Sequence, residues 1–148
     1  MTSDSSKGLL PAGLADDLPP EADIEAETVT ALMATFRAHG YERVKPPLIE
    51  FEDSLLEGPG AALAQQLFRV MDPQSQRMLG LRADMTVQVA RIAATRLGAR
   101  PRPLRLSYSG QVLRTRGSQL RPERQFSQAG FELIGSDSLE ADLETILL

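Results

Sequence analysis

The chain has 148 residues, 42% of them hydrophobic, no cysteine and a formal net charge of −4. That length suits one domain with a core of its own, and the absence of cysteine excludes a disulfide framework and thiolate chemistry. No apolar run approaches the ~18 residues of a membrane span. The N-terminus lacks the basic and apolar regions of a secretory signal, so a cytoplasmic setting is expected.

The charge is unevenly spread. Residues 1–60 carry twelve acids and four bases, residues 61–136 four acids and twelve bases, all arginine, and residues 137–148 four acids and no base. The basic middle suits an anion, whether nucleotide, carboxylate or a partner's acidic face. The acidic flanks argue against a dedicated nucleic-acid module, so no nucleic-acid partner is expected.

In chain order, residues 1–19 are Ser-, Gly- and Pro-rich and read as a flexible arm ahead of a folded unit over 20–148. A helix is predicted over 21–39, with Pro20 at its first turn, acids complementing the dipole, and Gly40 stopping it. Its expected packing stripe is Ile24, Thr28, Ala31, Leu32, Thr35 and Phe36. His39, the only histidine, sits near the helix C-terminus, which is a structural place for a cation-capable side chain. Residues 41–49 read as a strand, and Pro46 and Pro47, which cannot donate ladder bonds, put it at a sheet edge or an interface. Residues 57–64 read as a linker. Residues 68–71 and 78–81 read as a hairpin, and residues 84–97 as a helix with Met85, Val89, Ile92 and Leu97 inward. Two long strands follow over 105–114 and 124–134. The last segment reads as a helix, opened by Asp137 and Glu140 in a capping-box spacing, with Leu139, Leu143, Ile146 and Leu147 as its apolar stripe. An amphipathic pattern still running at Leu148 predicts an N-terminal portion of something longer.

With one histidine and no cysteine, no conventional metal set is present. There is no nucleophile elbow and no Gly-rich phosphate loop. What stands out is the pair of long strands. On the second, Phe126, Gln128, Gly130, Glu132 and Ile134 share one face. An amide and a carboxylate with only a glycine between them leave a gap where a small polar ligand could lie against the backbone. If the strands pair with an even register sum, Arg114 joins that face, and Asp84 faces it from the start of a helix. An arginine fork suits a carboxylate, and Asp84 and Glu132 suit an ammonium or imidazole N–H, with Gln128 serving either. The alternative reading is a set of surface ion pairs, each worth roughly 0–1 kcal/mol.

Three segments in order, HGYERVKPPLIEFED, LRADMTVQVARI and YSGQVLRTRG…RQFSQAGFELIG, resemble the catalytic core of class II histidyl-tRNA synthetases. They resemble still more closely a non-synthetase relative, the regulatory subunits of ATP phosphoribosyltransferase. The resemblance runs from about Gly8 to Leu148. It implies an α/β (α+β) fold: a class II aminoacyl-tRNA synthetase-like antiparallel sheet flanked by helices, incomplete at the C-terminus. The stretch ending at Pro47–Glu50 is similar to motif 1, which builds a dimer interface, so the resemblance makes Pro46 and Pro47 interface residues. Carried onto matching positions, the family's histidine-binding residues are Asp84, Arg114, Gln128 and Glu132.

One departure bears on activity. Where synthetases read Phe-Arg-x-Glu, this chain reads Leu113-Arg114-Thr115-Arg116. The adenine amino group then meets a donor in place of an acceptor, and an unpaired buried group costs about 1–3 kcal/mol. Motif 3 would lie beyond residue 148. The resemblance therefore implies a regulatory subunit with no catalytic residues and no cofactor. Its partners would be a short-form catalytic subunit of ATP phosphoribosyltransferase and other copies of itself, with histidine as a ligand. A histidyl-tRNA synthetase, or a truncated paralogue that only binds an amino acid, are the alternatives.

Overall fold

The structure, a computed structural model, describes residues 9–148. Among the described residues are two three-stranded sheets and four α-helices. The helices are α1 (Glu21–Ala38), α2 (Glu52–Leu56), α3 (Thr86–Thr95) and α4 (Leu139–Leu147); a 3-10 helix covers Gly58–Gln66. The strands are β1 (Glu42–Arg43), β2 (Ile49–Phe51), β3 (Phe68–Met71), β4 (Met78–Leu81), β5 (Leu104–Leu113) and β6 (Gln125–Ile134). One sheet has the order β1-β5-β6, with β1 parallel to β5 and β5 antiparallel to β6. The other is antiparallel in the order β2-β4-β3.

The fold is of the α/β class expected, with differences that have local causes. The strand predicted over 41–49 is two strands in two sheets. Its di-proline cannot donate to a ladder, and the chain crosses there from β1 to β2. In place of a linker over 57–64, residues 58–64 form most of the 3-10 helix, with Glu57 extended before it. The last helix is capped by Ser138, which accepts the Ala141 N–H at 3.3 Å, in place of Asp137.

The stripe of α1 is also rotated from the one expected. Ile24 is 57% exposed and Leu32 41%, and the inward row is Ala22, Glu25, Val29, Met33 and Phe36. Glu25 belongs to that row because the sheet face it meets is polar: its carboxylate accepts from Ser127 and from Gln111 of the long hairpin. Phe36 anchors the other end, packing with Tyr41 around Phe131, ring centroids 5.1 and 4.9 Å from that residue. The threonines of the expected stripe turn back to their own helix, Thr28 to the Ile24 carbonyl and Thr35 to that of Ala31.

The core lies between α3 and one face of the long hairpin. Met85, Val89 and Ala93 meet Leu104, Leu106, Tyr108 and Val112, with Leu97, Phe126 and Ile134 at its margin. Hairpin pairing runs from Leu104↔Ile134 to Leu113↔Gln125. The even register puts Gln128 and Glu132 on the α3 face, with Gln128 opposite Gly110 and Gly130 opposite Tyr108.

Candidate functional site

The α3 face of the hairpin is where the sequence places its candidate residues, and the five residues leading into α3 organise them. Ala83 accepts the Arg114 Nε–H at 3.2 Å on its carbonyl. Asp84 accepts the Gln128 amide N–H at 2.9 Å and, with its other oxygen, the Thr86 backbone N–H at 2.8 Å. The Met85 N–H donates to the Gln128 carbonyl oxygen at 3.0 Å. Gln128 thus satisfies one of the orphan amides of the α3 N-terminus while orienting Asp84. The Tyr108 hydroxyl donates to Glu132 at 3.1 Å, so the Thr86 hydroxyl, 3.2 Å away, donates to Tyr108. Each of the four candidates is therefore tied to residues 82–86, directly or through Tyr108.

They form a row, not a cluster. Arg114 lies level with Arg124, whose carbonyl accepts its backbone N–H. At ~3.3 Å per strand residue, the backbones of Arg114 and Glu132 stand about 26 Å apart along the hairpin, and both side chains turn inward, Arg114 to the Ala83 carbonyl and Glu132 through Tyr108 to Thr86. Arg114 opens onto a cavity of about 340 Å³ lined by Gln65, Gln66, Arg116, Arg121 and Phe126. Arg114 and Arg121 both lie over the Phe126 ring, at 5.1 and 4.8 Å, an arrangement that leaves guanidinium N–H groups toward an anion. Glu132 opens onto a second cavity of about 240 Å³, lined mainly by Thr86, Ala90, Ala93, Arg102 and Ile134. Asp84 and Gln128 lie between the two.

The expected gap above Gly130 is closed. Tyr108 lies across it, so near that a Cβ on Gly130 would fall 2.7 Å from the Tyr108 oxygen. Burial pushes the Tyr108 hydroxyl up to about 12; the hydrogen bond from Thr86 opposes it, and the charge and hydrogen bond of Glu132 add to it. It stays a neutral donor at any physiological pH.

Sequence reasoning did not single out Tyr108, Thr86 or Arg82. Tyr108 was findable, because an even register sum that puts Arg114 on the Gln128 face puts Tyr108 there too. Arg82 carried no signal; it looked like one more arginine of the basic middle. Pro46 is buried and Pro47 exposed. Their carbonyls accept from Arg82 and from Gln88, the latter at 2.8 Å. Among the described residues no group of three histidine or acidic side chains is placed to hold a metal. None of the described helices is long and apolar enough to cross a membrane.

A family model described as histidyl-tRNA synthetase matches residues 13–148. The chain belongs to the histidyl-tRNA synthetase family. Within that family it is similar to proteins named ATP phosphoribosyltransferase regulatory subunit. One from Paramagnetospirillum magneticum is 67% identical over all of this chain and 39% of the relative's length. One from Rhodospirillum centenum is 68% identical over 97% of this chain and 37% of the relative's. A solved structure described as an ATP phosphoribosyltransferase regulatory subunit/histidyl-tRNA synthetase, from Bacillus halodurans, superposes with a TM-score of 0.79. It is 33% identical and covers 95% of this chain and 36% of that one. The chain thus spans less than two-fifths of the length of these members of the histidyl-tRNA synthetase family.

Proposed function

We propose that this chain serves, as part of a regulatory subunit of ATP phosphoribosyltransferase, in the first step of histidine biosynthesis. The observation that carries the reading is the 67% identity, over the full chain, to a relative of that name. In this reading the chain is not itself a catalyst and resides in the cytoplasm. Residues 1–19 act as an arm and residues 20–148 as part of a class II synthetase-like domain. A separate short-form subunit performs the condensation of ATP with phosphoribosyl pyrophosphate, and this chain biases its turnover. Pro46 and Pro47 contribute to self-association.

Histidine is the proposed ligand of the α3 face. Asp84 and Gln128 are already oriented to receive an ammonium group, Glu132 an imidazole N–H, and Arg114 a carboxylate. Feedback requires that histidine bind the more and less active complexes unequally. Arg116 supports a regulatory over a synthetase reading. It lines the Arg114 cavity, so a purine entering there meets a donor where an acceptor is needed.

Calorimetric titration with L-histidine tests the site. Arg114→Ala and Glu132→Gln should each weaken binding by about 1.5–3 kcal/mol, the range for a charge-assisted contact. A well-folded wild type that takes up no histidine removes the pocket from the account. Histidine-dependent pyrophosphate exchange with ATP should stay at the no-enzyme blank; exchange above it returns a synthetase role to first place. Addition to the short-form subunit should change that subunit's turnover.

A further inference from the structure

Residues 82–86 hold the candidate site together, and one side chain leads away from them to the opposite part of the fold. The Arg82 guanidinium donates from Nε to the Gln111 carbonyl at 2.8 Å and from Nη1 to the Pro46 carbonyl at 3.0 Å. The backbone of the same residue joins both neighbours: its N–H donates to the Leu48 carbonyl, and its carbonyl accepts the Leu113 N–H, each at 3.0 Å. The guanidinium lies across Gly110, where a Cβ would fall 2.3 Å from Nη2. Gly110 is the register partner of Gln128.

Arg82 is 6% exposed, and the acceptors it reaches are neutral carbonyls. Burying a cation without a carboxylate partner is opposed by desolvation, and burial does push its pKa down, with Glu50 only partly opposing. An apolar side chain would fill the same space without that penalty. It could not hold the Pro46 carbonyl, the Gln111 carbonyl and residues 82–86 in one rigid fork.

We infer that Arg82 is a positioning residue of the amino-acid site: it places residues 82–86, and through them Asp84, Gln128 and Arg114, according to how the Pro46–Pro47 segment is seated. The ligand in this inference rests on the histidine-binding reading above; the geometry does not. A partner that grips the Pro46–Pro47 segment is then felt at Asp84, and by linkage a ligand at Asp84 is felt at that segment.

Two variants test it by different routes. Gly110→Ala pushes the guanidinium aside without removing its charge, and Gly110 does not have the positive φ that would strain an alanine. Arg82→Lys keeps the charge and loses the fork. Residue-resolved amide exchange should show the Met85 and Thr86 amides opening faster in both variants, by about tenfold. Amides of α1 and α4 should keep their wild-type rates. Titration with L-histidine should weaken by a similar factor in both. Unchanged exchange at Met85 and Thr86 overturns the inference, and so does uniform acceleration across the chain, which marks a merely structural role. If the wild type takes no histidine, the ligand reading falls and the exchange measurement alone decides the role of Arg82.

Discussion

Tyr108 lies directly over Gly130, its partner across the long hairpin, and it fits there only because position 130 has no side chain. The nearest approach of a Cβ would be 2.7 Å, to the Tyr108 oxygen, with the ring carbons of the same buried side chain just behind it. Gly130→Ala should therefore displace the ring and break the Tyr108–Glu132 hydrogen bond. Overpacking of this kind costs about 1–3 kcal/mol. A urea midpoint that falls with an unchanged slope would show it; an unchanged midpoint would mean that the ring moves freely.

The two tyrosines should titrate late and together. Burial, then Glu144, raises Tyr41 to about 12, against an opposing effect of Arg105; burial raises Tyr108 to about 12 against the Thr86 hydrogen bond, with Glu132 adding to the rise. A raised pKa means that the folded state favours the neutral phenol. This contribution to stability is complete below the ordinary tyrosine value near 10 and is lost as pH rises from there through about 12. Ultraviolet titration should detect no phenolate near pH 10 until the chain unfolds. A tyrosine ionising near 10 in the folded chain would contradict the burial of one of them.

Helix α4 is fastened by a polar residue. Glu144 accepts from the Tyr41 hydroxyl at 2.8 Å and takes both ends of the Arg105 fork at 2.7 and 2.6 Å. The apolar positions Leu139, Ile146 and Leu147 face outward, 69 to 81% exposed. Arg105 first, and Tyr41 next, hold the Glu144 carboxyl down at about 2. Its support for the folded chain is thus present above the ordinary carboxylate range and is lost as pH falls through about 2. Glu144→Gln should speed amide exchange in α4 selectively at neutral pH. Wild-type exchange rates there would show that Ala141, the buried residue of the helix, suffices.

The segment before α1 is tied to the 114–124 loop by Arg124. Its backbone N–H donates to the Gly13 carbonyl at 2.7 Å, Nη1 to that of Ala12 at 3.0 Å and Nε to that of Arg114 at 3.2 Å. The guanidinium also lies 5.0 Å from the Phe68 ring centre. Arg124→Ala should make residues 9–19 more open to proteolysis and leave the rate of cleavage elsewhere unchanged. Equal resistance of the variant would assign the attachment to the backbone hydrogen bond alone.

Much of this protein is determined by residue pattern. Alternation along 124–134, the hairpin of β3 and β4, and the Pro20 and Gly40 boundaries of α1 depend on near neighbours, so they are legible one segment at a time. Gln128 and Glu132 share a face by that alternation alone, whereas the even register that brings Tyr108 and Arg114 to the same face is set by the pairing of the two strands. Long-range partners decided the rest. Glu25 turns inward because Ser127 and Gln111, about a hundred residues away, donate to its carboxylate there, and that rotates the stripe of α1. The gap at Gly130 closes because pairing brings Tyr108 across it. Arg82 differs from the other arginines only in lying beneath Gly110 with two proline carbonyls within reach. A single side chain's chemistry states what it can bond to; tertiary packing alone decides which carbonyl, carboxylate or ring is there to be met.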